Sequence, residues 1–188
     1  MIFGVMGVVN FAHGELVMVG AYTIWLVHAQ YGFPYLPTLL LAIVVVMGIG
    51  LLMERFLFRP TRNDPLGGLI CSIGVLFILQ VLATLIGGDG PSKQVPPPLD
   101  GTLVLLEFIR IPYQRLFGLG VSVLALLTLW YFLTRTRLGW ALRAVALDRE
   151  AAALQGININ VISFIAIGVG AALAGLAGHG LGDGDRLH

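Results

Sequence analysis

Asn10, His13 and Glu15 stand together in the stretch Asn10-Phe11-Ala12-His13-Gly14-Glu15. The flanks, Ile2 to Val9 and Leu16 to Ala29, carry no Asp, Glu, Lys or Arg. An ionised carboxylate at the centre of a bilayer costs roughly 2.5–3.5 kcal/mol on insertion scales, so this polar island needs compensation. Two arrangements supply it. The island is a loop at the membrane surface, with Asn10 or Glu15 capping a helix. Alternatively, it interrupts a helix inside a bundle and lines a polar route, turning helix ends toward a zwitterionic or anionic solute. A second group is Glu150-Ala151-Ala152-Ala153-Leu154-Gln155-Gly156-Ile157-Asn158, which follows a helical stretch, Gly139 to Leu147, with Arg143 on it and Arg149 just beyond. Glu150 and the alanines favour helix, and Gly156 is a natural stop. The result is either a docking knob or a solvated amphipathic loop helix.

Other chemistry finds less support. Ser72, Ser122 and Ser163 are available as nucleophiles and His13 as a base. None of the serines sits in a Gly-x-Ser-x-Gly elbow, and no His-Glu-x-x-His motif is present. Isolated serines in apolar helices usually bond their own backbone. Cys71 is the single cysteine, so no internal disulfide can form, and the expectation is a small buried residue. Asp183 and Asp185 lack the remaining spacing of a calcium loop.

The elements that must position these groups are apolar. Of 188 residues, 57% are hydrophobic and only 11% charged, and mean hydropathy is +0.92. Soluble domains are about 25% charged, so a water-facing surface cannot be covered. The fold expected is all-α, a polytopic transmembrane bundle of roughly five spans plus a broken N-terminal half-span. The spans read as Leu16 to Ala29, Tyr35 to Met53, Leu66 to Ile86, Leu116 to Leu133 and Val161 to Leu181. The Pro- and Gly-rich connection from Gly87 to Arg115 has room for a short hairpin at Leu103–Leu106 and Phe108-Ile109. Gly168, Gly170, Gly175 and Gly178 give the last span small-residue faces for close helix approach. Arg55, Arg59 and Arg62 lie in one connection, and Arg135, Arg137, Arg143 and Arg149 in another, two spans later. The positive-inside bias puts both in the cytoplasm and the Pro-rich connection outside.

Gly7-Val8-Val9-Asn10-Phe11-Ala12-His13-Gly14-Glu15-Leu16-Val17-Met18 closely resembles the signature of branched-chain amino acid ABC transporter permeases, H-type. Glu54-Arg55-Phe56-Leu57-Phe58-Arg59-Pro60-Thr61-Arg62 is similar to the family's glutamate-arginine stretch ending in Arg-Pro. Arg137 to Ala146, continuing through Gly156-Ile157-Asn158, resembles its cytoplasmic loop, and Glu150-Ala151-Ala152 with Gly156 fits the Glu-Ala-Ala-x-x-x-Gly pattern that importers present to their ATPase.

The resemblance implies a transport subunit, not an enzyme, in the cell (inner) membrane. It implies a second permease subunit, two cytoplasmic ATPase subunits, and a periplasmic or extracellular solute-binding protein delivering Leu, Ile or Val. The chain itself would bind no cofactor, ATP-Mg residing in the ATPases, and no nucleic acid. Asn10, His13, Gly14 and Glu15 would belong to the transport pathway or gate. Arg143, Glu150, Ala151, Ala152 and Gly156 would couple to the ATPases. Compared with the family, residues 1–178 read as an incomplete permease domain truncated at both ends, and residues 179–188 as an atypical polar tail. A permease for urea or another small amide or amino solute shares the Ala-His-Gly-Glu pattern, and a nonfunctional fragment of such a permease fits the short ends.

Overall fold

The computed structural model describes residues 10–61, 64–87, 102–106 and 109–179. The expected half-span before Asn10, Arg62, most of the Pro-rich connection and the tail after His179 lie outside the described residues. The first helix, α1 (His13–Ile24), passes unbroken into a π-helical segment, Trp25–Gln30. Pro34 ends the connection and starts α2 (Tyr35–Met53), with Pro37 in a first turn whose N–H groups have no helical partner. A π-helical turn, Glu54–Phe58, extends α2. Pro65 opens α3 (Pro65–Gly87), since its fixed φ suits a first helical position. An antiparallel hairpin follows, β1 (Thr102–Leu106) with β2 (Ile109–Pro112), pairing Thr102 with Pro112 and Leu103 with Ile111. This is the hairpin expected within the Pro-rich connection. Then come α4 (Tyr113–Arg135), α5 (Arg137–Leu147), α6 (Arg149–Leu154) and α7 (Ile159–Ala177).

Four helices among the described residues are long and apolar enough to cross a membrane: Tyr35–Phe58, Leu66–Gly87, Arg115–Arg135 and Ile159–Ala177. They are four of the five expected spans. The remaining one, α1 with its π-helical extension, is helical throughout, but His13, Glu15, His28 and Gln30 at its ends dilute its apolar character. The long helices expose large apolar residues, among them Leu40, Phe77, Val81, Leu124 and Leu126, whereas the apolar residues of α1 are buried or half-buried. In water such a surface would aggregate; in a bilayer it faces acyl chains.

The core forms around α7, which lies against α1 and α2. At their crossing a Cβ built on Gly20 would stand 2.9 Å from the Gly175 carbonyl oxygen. One built on Gly175 would stand 3.0 Å from the Ala42 carbonyl oxygen and from the Ile43 Cα. The expected small-residue face therefore brings three backbones together, and glycine is what fits there. Late α7 meets early α2 at Gly175, whereas Gly168 meets Leu51 late in α2, so the two helices run antiparallel. The start of α7 and the end of α2 thus share one end of the bundle, the end that carries both basic connections.

Candidate functional site

The turn before α1 is built by Asn10. Its Oδ1 accepts from the Ala12 N–H at 3.1 Å, and its carbonyl accepts from the His13 N–H at 3.4 Å. The side chain closes the turn that precedes the helix instead of capping the helix itself, whose N-cap is Ala12. Ala12 and Leu16 are fully buried, packed in one cluster with Met53, Phe58, Ile167 and Ala171. Two bonds then tie the island to α3. The Phe11 N–H donates to Ser72 Oγ at 3.3 Å, and Gln80 Nε2 donates to Glu15 Oε1 at 2.9 Å. Ser72 Oγ in turn donates to the Leu69 carbonyl at 2.7 Å, the self-bonding expected of a serine in an apolar helix.

These bonds give the island its depth along α3. Ser72 and Gln80 stand about 10 Å and about 22 Å from the first residue of α3 at ~1.5 Å rise per residue. The 23-residue helix is about 34 Å long. The island meets α3 along its middle, and α1 begins within the bundle. Glu15 lies in the first turn of α1, where the helix dipole favours a carboxylate. Asn10 and Glu15 have partners, whereas His13 and Gly14 lie on an exposed face at the same level.

The second constellation is a pair of short helices at the basic end. Thr136 caps α5, its Oγ1 accepting from the Gly139 N–H at 3.0 Å. Asp148 caps α6, its Oδ1 accepting from the Glu150 and Ala151 N–H groups at 2.9 and 3.0 Å. Gly156 ends α6 at φ +81°, with its own N–H bonded to Ala153 and the Ile157 N–H to Ala152. That pattern is a Schellman motif, and it needs the left-handed residue that glycine supplies without strain. The helix ending in a glycine turn was expected, and it is there. Of the expected coupling residues, Ala152 is buried with Leu142, Val145, Ile162 and Ala166 and anchors the pair to α7. Arg143, Glu150, Ala151 and Gly156 are exposed. The Arg143 guanidinium lies 4.9 Å above the Trp140 ring.

The two constellations pack in separate clusters, and α7 joins them. Its Ile162 and Ala166 pack on α5 and α6, and its Ile167 and Ala171 pack on the cluster holding Ala12 and Leu16. Sequence reasoning missed several participants. Ser72 and Gln80 were signalled by being polar in an apolar span. Leu147 and Leu154, each 88% exposed at the tips of α5 and α6, were signalled by being apolar in a polar segment. Glu54, 3% exposed, closes a long uncharged run. Ser163 Oγ is buried without a hydrogen-bond partner among the described residues and departs from the serine rule that Ser72 follows. Cys71 is half-buried, less enclosed than expected, because α3 packs along one side only. His179, assigned to the tail from sequence, packs its ring edge-on against Phe117 at 6.4 Å.

Residues 1–181 match the family described as branched-chain amino acid transport system / permease component. The chain is 35% identical to the high-affinity branched-chain amino acid transport system permease protein BraD of Pseudomonas aeruginosa, over 94% of this chain and 62% of that protein. It is 33% identical to the permease protein LivH of Escherichia coli strain K12 and 32% identical to LivH of Salmonella typhimurium, each over 97% of this chain and 63% of the relative. The chain thus spans less than two thirds of the length of these relatives. No solved structure matches it. With a matching family signature over nearly its whole length and an apolar helical bundle to carry it, the chain belongs to the family of branched-chain amino acid transport permease components.

Proposed function

We propose that the chain acts as a membrane-spanning subunit of an ABC importer that moves branched-chain amino acids. The observation that supports this reading best is the depth of the polar island. Ionisable residues at membrane depth face a bundle interior or a water-filled cavity, and the exposed face of His13 and Gly14 needs such a neighbour. A second permease subunit packed there would complete a route between the two chains. A helix that starts inside the bundle offers its positive end to a carboxylate, which suits an amino acid zwitterion. The basic end is cytoplasmic on this reading. There the exposed Leu147 and Leu154, with Arg143, Glu150 and Ala151, form the surface for an ATPase subunit. A solute-binding protein docks at the opposite end. ATP binding and hydrolysis occur in the ATPase partners, and α7 carries the displacement of α5 and α6 to the island.

The test is uptake. The chain is expressed with the second permease, ATPase and binding-protein subunits in cells lacking other branched-chain amino acid import. Labelled leucine should accumulate, and His13→Ala and Glu15→Ala should reduce it. Accumulation of urea instead would reassign the solute, and no uptake above the empty-vector control would overturn the reading.

A further inference from the structure

Helix α4 is held at its ends and stands clear between them. Near its start Phe117 packs edge-on against Tyr35 at 5.9 Å, and near its finish Phe132 and Leu133 join the cluster of α5, α6 and α7. Between these contacts a cleft of ≈ 420 Å³ separates α4 from α2 and α7. It is lined by Val121, Leu124, Thr128 and Phe132 of α4 and by Val169 and Leu173 of α7. From Val121 to Phe132 the cleft extends about 16 Å along the helix axis. That is about half of a hydrocarbon core ~30 Å thick, or one leaflet.

The cleft ends beside positive charge. One turn beyond Phe132 on α4 lies an open hollow of ≈ 590 Å³ lined by Arg135, Arg137 and Trp140 together with Ala141, Ala144 and Ile157. Both arginines are exposed, and no acidic residue lines the hollow among the described residues. The Trp140 indole N–H donates to the Thr134 carbonyl at 3.1 Å, which fixes the ring at the level where tryptophans meet lipid headgroups.

The geometry points to a binding site for an anionic phospholipid, with an acyl chain in the α4–α7 cleft and the headgroup phosphate on Arg135 and Arg137. Neither part suffices alone. The apolar cleft accepts any lipid tail, and exposed arginines attract any anion. The cleft's lining on α4 ends at Phe132, and the arginines follow at the end of α4 and the start of α5, so a molecule that carries both features can reach both.

The test uses the purified, delipidated chain in mild detergent. Native mass spectrometry measures binding of phosphatidylglycerol and phosphatidylcholine with identical acyl chains. Phosphatidylglycerol should bind on the order of tenfold tighter, from two arginines near the headgroup. The R135Q/R137Q double variant changes only exposed side chains; it should lose the preference, phosphatidylglycerol weakening more than phosphatidylcholine until the two bind alike. R135K/R137K should retain the preference. Ala125→Trp, which fills the cleft wall, should weaken both lipids. Equal binding of the two lipids, a preference that survives R135Q/R137Q, or a dimer of the chain forming at the expense of bound lipid would each overturn the proposal.

Discussion

Replacing Gly178 by Ala probes the crossing of α1 and α7. The new Cβ would lie 2.5 Å from the Ala21 amide nitrogen, 2.7 Å from the Gly20 carbonyl carbon and 2.9 Å from the Val17 carbonyl oxygen. Comfortable contact for carbon is about 3.5–4.0 Å, so the two backbones must part by about 1 Å. No flexible side chain can give way, because all three neighbours are main-chain atoms of one helix. Overpacking of this kind costs about 1–3 kcal/mol. The matched control is Gly48→Ala on α2, where an added Cβ meets nothing within 4 Å. There the helix-propensity gain of up to ~1 kcal/mol acts unopposed. The two substitutions, chemically identical, should move stability in opposite directions. Thermal unfolding in detergent, followed with a thiol-reactive fluorophore at Cys71, the only cysteine, reads this directly. The midpoint should fall several degrees below wild type for Gly178→Ala and lie at or above wild type for Gly48→Ala. Equal midpoints for both variants would refute the close crossing of α1 and α7.

Three further outcomes are expected. Asp148→Ala removes the acceptor for two N–H groups at the start of α6 and should cost about 1 kcal/mol locally; hydrogen exchange of residues 149–154 should quicken while that of α2 stays unchanged. Gly156→Ala places a Cβ at φ +81° in open space, so the penalty is backbone strain of about 1 kcal/mol. In the assembled importer it should lower leucine-stimulated ATPase activity with membrane insertion intact, and Gly156→Asn should fall between the two. Single cysteines at Arg59 and Arg143, in a Cys71→Ala background, should both react with an impermeant thiol reagent from the cytoplasmic side; reaction from opposite sides would contradict the shared basic end.

The parts of the fold that were legible are those governed by local rules. Uncharged apolar length marked α2, α3, α4 and α7, and Gly156 marked the end of α6. The density of glycine in α7 announced a close helix crossing. Depth was not legible, because it depends on which residues of distant helices meet. Asn10-to-Glu15 reads the same as a surface loop or as a break within a bundle until Ser72 and Gln80 are brought to it. The coupling set was only partly separable for the same reason. Ala151 and Ala152 are chemically identical neighbours, yet one is exposed and the other anchors α6 to α7. The apolar tips Leu147 and Leu154 escaped notice because hydrophobicity in a polar segment reads first as ordinary packing.

On the proposed function, the polar island lines a water-accessible route at membrane depth. Cysteine accessibility at position 13 reads whether water reaches it. In membrane vesicles carrying the assembled importer, His13→Cys in a Cys71→Ala background should react with a small charged thiol reagent, and leucine should slow the reaction. Ala12→Cys, buried in the core, and Leu126→Cys, exposed on the outer face of α4, should stay unlabelled. Labelling at position 13 no faster than at position 126, with or without leucine, would mean that the island is closed to water and lines no route.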